Sequence, residues 1–459
     1  MIDLAIIGAG PAGYIAAIRA RQLGLSVVLI EREALGGVCL NWGCIPSKHL
    51  IHRASQFNTL NTMEAIGVGV DRSSLDYAKV NESSRAVVSQ LGQGILGLMK
   101  RHSVEVLYGS ASFSSKGTLN VSGKEVEARH ILIATGARPT EIAGFEFDHE
   151  RVLSSTDVLR IKTLPQSMVI LGGGAIGCEM AYIFASFGVA ITLVEAEPHL
   201  LPTEDVSIGV SIKRSLEKLG VKVQTKTRAL RPVCGDNNVS IELLRDNESG
   251  SIDVECALVA FGRTPNTENL DLCHAGVELD ARGFIITNIG GQTANPNIFA
   301  AGDVVNTPML AHVAYAEAER AVEVIAGVLA PEGLDCAMMI PSGIYTEPQA
   351  AGFGVRETGN QALPEGLDSV QIPLSSIGKS VAIGSTEGFV KVIFDQTTKE
   401  IVGGHIVGQN ATELIHELLL MKSAELLPDD IVRTMHAHPT LSEANQEAMR
   451  AVLGGAYHA

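Results

Sequence analysis

Residues 4–13 read LAIIGAGPAG, which is an apolar, strand-like run followed by the pattern G-x-G-x-x-G. In this pattern Gly8 makes the tight turn after the strand, Gly10 lets the backbone approach a pyrophosphate, and Gly13 permits close packing of the following helix. The next apolar run ends at Glu31, where a carboxylate can accept hydrogen bonds from an adenosine ribose. Strand, glycines, helix, strand and acid in this order predict a Rossmann-like dinucleotide-binding unit.

The same arrangement occurs a second time in the chain. Residues 168–177 read MVILGGGAIG, and a later apolar run ends at Glu195. Glu31 and Glu195 each lie 23 residues after the first glycine of their motif. The three glycines of the second motif are Gly172, Gly174 and Gly177. The repeat predicts two dinucleotide sites in one α/β protein.

The residues after Glu195 indicate which nucleotide binds at the second glycine motif. An adenosine ribose that carries a 2′-phosphate needs an arginine or lysine at this place, and the chain offers Glu195 and Glu197 without a cation. His199 is the one basic candidate nearby, and we interpret it as a turn residue. NAD is therefore favoured over NADP.

Two cysteines stand close together in residues 36–48, GGVCLNWGCIPSK. Gly43 can distort the turn between Cys39 and Cys44 enough for the sulfurs to meet, and Cys44 is expected to open a helix. Amide groups at a helix N-terminus favour a thiolate, so we interpret the pair as a redox centre. The alternatives are two buried structural thiols or half of a zinc site. A zinc site needs two more ligands, none of which follows at the usual spacing, so we predict no metal.

Several other strand-like runs end where a ligand can approach the backbone. One run leads into Thr135 and Gly136, and a similar sequence further on leads to Gly262. A third run ends at Gly302 and Asp303, and that carboxylate suits a hydroxyl-rich chain such as ribityl. Each of these places can also be a simple turn at a strand end.

Residues 341–459 differ from the earlier units, with antiparallel strands expected at 388–395 and 401–408 and helices from about 411 and 442. Residues 436–443 of this segment read HAHPTLSE. Two histidines so close could chelate a metal, but one imidazole acting as an acid and base, oriented by a carboxylate, is a better interpretation. The remaining alternative is a pair of surface histidines near a turn.

Length, net charge and the distribution of apolar runs restrict the classes of protein to which this chain can belong. The chain has 459 residues, which predicts three or four domains, and its net charge of −16 argues against binding to nucleic acid or an acidic membrane. A strand-like run follows Met1 at once, which leaves no room for a signal peptide, and no apolar run approaches a membrane span. We therefore expect a cytoplasmic protein.

The seven cysteines do not form the pattern of a secreted disulfide framework. An odd number scattered through a long chain indicates a reducing compartment with one special pair. The other five are expected to be small buried apolar residues: Cys178, Cys234, Cys256, Cys273 and Cys336.

Taken together, these motifs resemble the flavin-dependent pyridine nucleotide-disulfide oxidoreductases over essentially the full length. The matching segments are residues 8–14, 36–48, 172–179, 302–303, 309–312 and 438–443. Two departures are visible, because Val38 stands where threonine is frequent and Trp42 where valine is frequent. Both affect packing near the flavin more than the chemistry.

The resemblance implies two Rossmann-like domains, one for FAD and one for NAD, followed by a C-terminal α+β dimerisation domain that forms a homodimer. The implied limits are 1–150 and 276–340 for the two FAD-binding parts, 151–275 for the NAD-binding domain and 341–459 for the dimer interface. The implied FAD contacts are Gly8, Gly10, Gly13, Glu31, Lys48, Thr135, Gly136, Gly302, Asp303, Met309, Leu310, Ala311 and His312. The implied NAD contacts are Gly172, Gly174, Gly177, Glu179, Glu195 and Gly262.

The resemblance also implies a redox relay. His438, oriented by Glu443, takes a proton from a dithiol, and the thiolate attacks Cys39 of a Cys39–Cys44 disulfide. Cys44 then passes electrons to the flavin, where Lys48 stabilises the reduced ring, and the flavin reduces NAD. Glu179 would lie near the nicotinamide and could pair with Lys48. Each site would combine the cysteines of one subunit with His438 of the other.

The resemblance is strongest to members that oxidise dihydrolipoamide on lipoyl domains of 2-oxo acid dehydrogenase or related complexes. A glutathione-type reductase is an alternative, but such enzymes usually prefer NADP, and Glu195 argues against that. A mercuric reductase would end in a cysteine pair, whereas the last cysteine here is Cys336. A docking subunit without catalysis would be free to lose the cysteines, Lys48 and His438, and all are present.

Overall fold

The computed structural model describes residues 1–330, 339–359 and 363–458. It confirms the predicted α/β architecture, with two units built on parallel sheets and a C-terminal unit built on an antiparallel one. The inner parallel strands, such as Val27–Glu31 and Ser167–Leu171, are almost wholly buried, because helices cover both faces of such sheets.

The first unit has parallel strands in the order β3-β2-β1-β6, with β17 on the far side of β6. Strands β4 and β5 extend the sheet as antiparallel neighbours, with β5 paired to the N-terminal half of β6 and β4 paired to β5. The carboxyl ends of β1 and β6 therefore lie side by side, where the first glycine loop begins. The strands are β1 Ile2–Ile7, β2 Val27–Glu31, β3 Glu105–Tyr108, β4 Ala111–Ser115, β5 Thr118–Val121, β6 Lys124–Ile133 and β17 Ile298–Ala300.

Helices of this unit follow the predicted motifs closely. The first begins at Pro11, a residue suited to the first helical turn because its missing N–H needs no partner there. Two helices meet at Gly43, and the second begins at Cys44 as predicted. The helices are α1 Pro11–Gln22, α2 Gly37–Trp42, α3 Cys44–Met63, α4 Tyr77–Arg101 and α9 Ala311–Ile325.

The second unit has an all-parallel sheet in the order β11-β10-β9-β15-β8, beside a three-stranded antiparallel sheet, β12-β13-β14. A two-stranded ribbon, β7 with β16, joins it to the first unit. The strands are β7 Ala137–Pro139, β8 Val152–Leu153, β9 Ser167–Leu171, β10 Ala190–Val194, β11 Lys222–Gln224, β12 Thr227–Cys234, β13 Val239–Arg245, β14 Glu248–Val254, β15 Cys256–Val259 and β16 Arg263–Pro265. The helices are α5 Ser155–Val158, α6 Ala175–Ser186 and α7 Val206–Lys218. The short helix α8 Leu272–Ala275 follows in the chain but packs against β4 of the first unit.

The C-terminal unit is a five-stranded antiparallel sheet in the order β18-β19-β22-β21-β20, packed against helices. The predicted strands at 388–395 and 401–408 and the helices near 411 and 442 are all present. The strands are β18 Ser342–Ile344, β19 Gln349–Gly354, β20 Leu367–Pro373, β21 Phe389–Asp395 and β22 Ile401–Gly408. The helices are α10 Gly378–Ala382, α11 Ala411–Ser423, α12 Pro428–Arg433 and α13 Glu443–Val452.

The prediction of buried cysteines was right for two residues and wrong for two. Cys178 and Cys256 are buried, whereas Cys234 and Cys273 are exposed. Cys234 ends a strand of the small antiparallel sheet, where much of the surface faces solvent, and Cys273 lies in a single helical turn. Cys336 lies outside the described residues.

Candidate active site

One cavity of about 320 Å³ lies where the first glycine loop, the cysteine helices and helix α6 of the second unit meet. Its walls include most of the residues that the sequence predicts for FAD, together with both cysteines. The predicted residues on its walls are Gly8, Gly10, Glu31, Cys39, Cys44, Lys48, Thr135, Gly136, Glu179, Gly302, Asp303, Met309, Leu310 and Ala311. Residues distant in sequence are thus brought to one place.

Two glycines of the first loop, Gly8 and Gly13, have no room for a side chain. Gly8 has φ of +99°, and a Cβ on it would lie 2.4 Å from the carbonyl oxygen of Ala134. A Cβ on Gly13 would lie 1.8 Å from the carbonyl oxygen of Gly8. The loop is fastened to the next strand because the Ala9 amide donates to Glu31 Oε2 at 2.7 Å.

The second glycine loop repeats this geometry. A Cβ on Gly172 would lie 2.5 Å from the oxygen of Ala260, and one on Gly177 would lie 1.9 Å from the oxygen of Gly172. The Gly173 amide donates to Glu195 Oε2 at 2.6 Å, as Ala9 does to its acid in the first loop. The two copies predicted from the sequence are therefore equivalent in structure.

The residues present fit a dinucleotide at each loop. Gly10 and Gly174 are the N-caps of α1 and α6, and neither offers a side chain to the free amides of the first turn. Such amides bind phosphate well. A Cβ on Gly174 would meet no atom within 4 Å, which leaves open space in front of the helix.

The cysteine pair lies at the junction of α2 and α3. Gly43 breaks the helix with φ of −143° and ψ of −109°. Cys39 and Cys44 are free thiols in side-chain hydrogen-bond contact. That hydrogen bond lowers the pKa of Cys44 to about 7, with burial acting against it and the charge of Lys48 acting with it. The same hydrogen bond and burial raise the pKa of Cys39.

Lys48 lies one helical turn after Cys44 and pairs with Glu179 of the second unit, as the resemblance implies. Its Nζ donates to the two carboxylate oxygens at 3.0 and 2.9 Å. Burial would lower the pKa of Lys48, but the charge and hydrogen bonds of Glu179 raise it. The ion pair therefore keeps a full positive charge beside the thiols.

Two residues that sequence reasoning missed complete this region. The ring of Tyr345 lies 4.4 Å from Lys48 Nζ, and its amide donates to Glu179 Oε1 at 3.2 Å. Arg263 lines the cavity, with its Nε 3.9 Å from Asp303 Oδ2, while burial raises the pKa of Asp303. The similarity of the sequences around Gly136 and Gly262 was a signal for Arg263, and Tyr345 carried none.

His438 and Glu443 form the predicted pair. His438 Nδ1 lies 2.9 Å from Glu443 Oε1, and the Thr440 amide donates to Glu443 Oε2 at 2.8 Å. The side chain of His438 is 77% exposed. Neither residue lines the cavity that holds the cysteines.

Some other predicted residues also lie off the cavity walls. His312 faces away, with its Nε2 2.8 Å from the Pro341 carbonyl oxygen. Gly13 packs inside the first loop, and Gly262 lies between β15 and β16, directly before the β7–β16 ribbon. The second-loop residues off the walls are Gly172, Gly174, Gly177 and Glu195.

Within residues 1–330, 339–359 and 363–458, no group of three or more His, Cys, Asp or Glu side chains could hold a metal ion. None of the helices described has both the length and the apolar character needed to cross a membrane.

Two family models match this chain. The pyridine nucleotide-disulphide oxidoreductase model covers residues 2–318, and the dimerisation domain of the same family covers residues 340–449. The chain therefore belongs to the pyridine nucleotide-disulphide oxidoreductase family and carries its dimerisation domain.

Two relatives within the family match this chain over nearly its full length. A dihydrolipoyl dehydrogenase of Geobacillus stearothermophilus is 38% identical over 99% of this chain and 96% of that protein. One of Chlorobaculum tepidum is 40% identical over 97% of this chain and 96% of that protein.

Solved structures have the same fold. LpdA of Mycobacterium tuberculosis superposes with a TM-score of 0.89 at 24% identity, over 98% of this chain and 100% of the other. The flavoprotein disulfide reductase RclA of Escherichia coli superposes with a TM-score of 0.86 at 26% identity, over 97% and 99%.

Proposed function

We propose that this chain is a dihydrolipoyl dehydrogenase, which oxidises protein-bound dihydrolipoamide to lipoamide and reduces NAD⁺, with FAD between them. The observation that carries the proposal is the Cys39–Cys44 pair beside the Lys48–Glu179 ion pair, in the cavity where both nucleotide units meet. Relatives with this name match the chain from end to end. When bound, FAD supplies a two-electron carrier between the thiols and NAD.

Each glycine loop would bind a different nucleotide. The first loop and Glu31 would hold the adenosine half of FAD, and Asp303 would hold its ribityl chain. The second loop and Glu195 would hold NAD, with Glu179 near the nicotinamide. Residues 195–198 include no cation that could receive a 2′-phosphate, and this supports NAD over NADP.

Each side chain has one task in the thiol exchange. Glu443 fixes the Nδ1 side of His438, so that Nε2 is free to take a proton from one substrate thiol. The thiolate attacks Cys39 of the oxidised pair, which breaks the Cys39–Cys44 bond and forms a mixed disulfide. The second substrate sulfur displaces Cys39, and its proton passes to Cys39, which leaves as a thiol while Cys44 stays a thiolate. The substrate has then lost two electrons and two protons, and the cysteine pair is reduced.

We further propose a homodimer in which each site uses His438 of the partner subunit. The exposed His438 and the cysteine cavity are separate within one chain, and residues 340–449 match a dimerisation domain. Free thiols and an odd cysteine count suit the cytoplasm. Lipoyl domains of a 2-oxo acid dehydrogenase or related complex are the proposed partners.

An anaerobic spectral titration tests the proposal. The purified protein is reduced with dihydrolipoamide and then given NAD⁺ or, separately, NADP⁺. We expect a long-wavelength thiolate-to-flavin band that NAD⁺ alone removes. A flavin that dihydrolipoamide leaves oxidised and NADPH reduces would indicate another disulfide reductase, of the glutathione type. Absence of flavin would support a docking subunit.

A further inference from the structure

The loop between α12 and α13 carries a second histidine that the thiol exchange does not use. His436 precedes His438 by two residues, but its side chain is only 6% exposed, against 77% for His438. One histidine therefore faces inward and the other faces outward from the same short loop.

Both ring nitrogens of His436 meet acceptors. Nε2 lies 2.8 Å from Glu417 Oε1 on α11, and Nδ1 lies 3.1 Å from the carbonyl oxygen of Thr434. A carboxylate oxygen and a carbonyl oxygen lie at the two ring nitrogens, so the His436 ring is held at two points.

Glu417 is itself held in place from α13. Its other oxygen, Oε2, accepts from Nδ2 of the fully buried Asn445 at 2.7 Å. Gln446, the next residue on α13, donates to the Thr434 oxygen at 2.9 Å. His436 is therefore bonded to α11 directly and linked to α13 through Glu417 and the Thr434 oxygen. Helix α13 also begins with Glu443, the partner of His438.

His436 also acts electrostatically on the His438–Glu443 pair. Burial would raise the pKa of Glu443, but hydrogen bonds from His438 and Thr440 and the charges of both histidines lower it. Glu443 is thereby kept ionised, which is the form that orients His438.

We propose that His436, Glu417 and Asn445 form a positioning unit that fixes the loop and sets the orientation of the His438–Glu443 pair. The inference deepens the proposed function and depends on it, since His438 acts on substrate only in that reaction. The unit does not touch the reacting sulfurs, and its effect is confined to thiol exchange.

Stopped-flow measurement of the two half-reactions tests the positioning unit. His436→Leu removes both ring contacts, Glu417→Gln keeps the shape without the charge, and His436→Gln keeps one donor for Glu417. Glu400→Gln is the control, because Glu400 pairs with Lys422 on the surface of the same unit. We expect His436→Leu to slow reduction by dihydrolipoamide about tenfold or more and to change its pH profile, with partial recovery in His436→Gln. Reduction by NADH and the Glu400→Gln control should stay at wild-type rates.

Three outcomes would overturn the inference. They are equal slowing of both half-reactions, an unchanged dihydrolipoamide step, or a Glu417→Gln variant that behaves like the control. If His436→Leu does not fold, Glu417→Gln decides the question alone.

A measurement without substrate separates this inference from the proposed function. In protein labelled with ¹³C at histidine Cε1, the His438 resonance should titrate differently in Glu417→Gln than in the wild type and Glu400→Gln. An unchanged titration contradicts the positioning unit even if dihydrolipoamide is not the substrate. A wild-type protein that dihydrolipoamide does not reduce refutes the proposed function and leaves this test standing.

Discussion

Lys48 makes three interactions with one ammonium group. It binds both oxygens of Glu179, lies on the ring of Tyr345 and acts on the charge of Cys44. The Lys48 side chain is 34% exposed and that of Glu179 is 6% exposed. The hydration that such a partly buried ion pair loses offsets much of its attraction, so the pair is weak support for stability. A charge that lowers the pKa of a neighbouring thiol has a chemical use, which is a better reason for its position.

We predict that Lys48→Met raises the pKa of Cys44. The variant loses a positive charge and leaves Glu179, whose negative charge opposes the thiolate, without its partner. The pH midpoint for alkylation of reduced Cys44 by iodoacetamide should rise by about 1 pH unit or more above that of the wild type. Lys79→Met, which changes an exposed lysine on α4, is the control and should keep the wild-type midpoint. An unchanged midpoint in Lys48→Met would show that the hydrogen bond from Cys39 alone sets the thiol acidity.

The sequence predicted the central residues of the site because local spacing constrains them. Cys39, Cys44 and Lys48 lie on two adjoining helices, so their spacing predicted their proximity. Tyr345 reaches the same place from the C-terminal sheet, and such a tertiary contact leaves no mark in local sequence. The exposed Cys234 was mispredicted for a related reason, since residue type alone does not tell which strands stay at the surface.

At the scale of elements, each βα loop uses its glycines in two different ways. Gly177 is required by packing, because a Cβ there would lie 1.9 Å from the Gly172 carbonyl oxygen. Gly174 has open space, so only an incoming ligand would meet a side chain at that position. The two glycines of one motif can therefore be separated by experiment.

We predict that Gly177→Ala destabilises the protein, whereas Gly174→Ala weakens NAD binding alone. Overpacking against backbone costs about 1–3 kcal/mol or more, and helix α6 cannot move away without leaving its sheet. Denaturant unfolding and NADH titration of both variants check this. A stable Gly177→Ala, or a Gly174→Ala with wild-type NADH affinity, would contradict the assignment of packing and ligand roles.

The sequence predicted some of the helices and strands and missed others. Alternation of apolar runs and glycines located β1, β9 and their helices, because buried parallel strands are continuously apolar. The sheet β12-β13-β14 was not predicted. Its outer strands are largely exposed and rich in polar residues, so they lack that apolar signal.

At the scale of the whole molecule, a buried charge cluster joins the second unit to the C-terminal sheet. Lys391 on β21 is 4% exposed and donates to Asp205, the N-cap of α7, at 3.0 and 2.8 Å. His405 on β22 donates from Nε2 to the Val355 oxygen at 2.8 Å, and its Nε2 lies 3.9 Å from Asp205. Burial lowers the pKa of His405 to about 4.

We predict that His405 makes the protein less stable as the pH falls from about 6.5 to 4. The unfolded chain binds a proton at this residue below pH 6.5, whereas the folded chain resists protonation until about pH 4. The lost stability is roughly 3 kcal/mol across this window. Urea unfolding at fixed protein concentration should give a His405→Gln variant that is weaker at neutral pH but has a flatter pH dependence. A wild-type slope in that variant would show that other groups control the acid response.

The proposed dimer makes a prediction about how active sites are shared between subunits. If Cys44 and His438 come from different subunits, a purified heterodimer of Cys44→Ser and His438→Gln chains contains one intact site and one doubly altered site. It should show about half of wild-type turnover, although each parent homodimer is nearly inactive. A heterodimer of wild-type and Cys44→Ser/His438→Gln chains has the same residues in total but no intact site, so it should be inactive. Sites built within single chains require the opposite result in both heterodimers, so two differently tagged, co-expressed pairs decide between the arrangements.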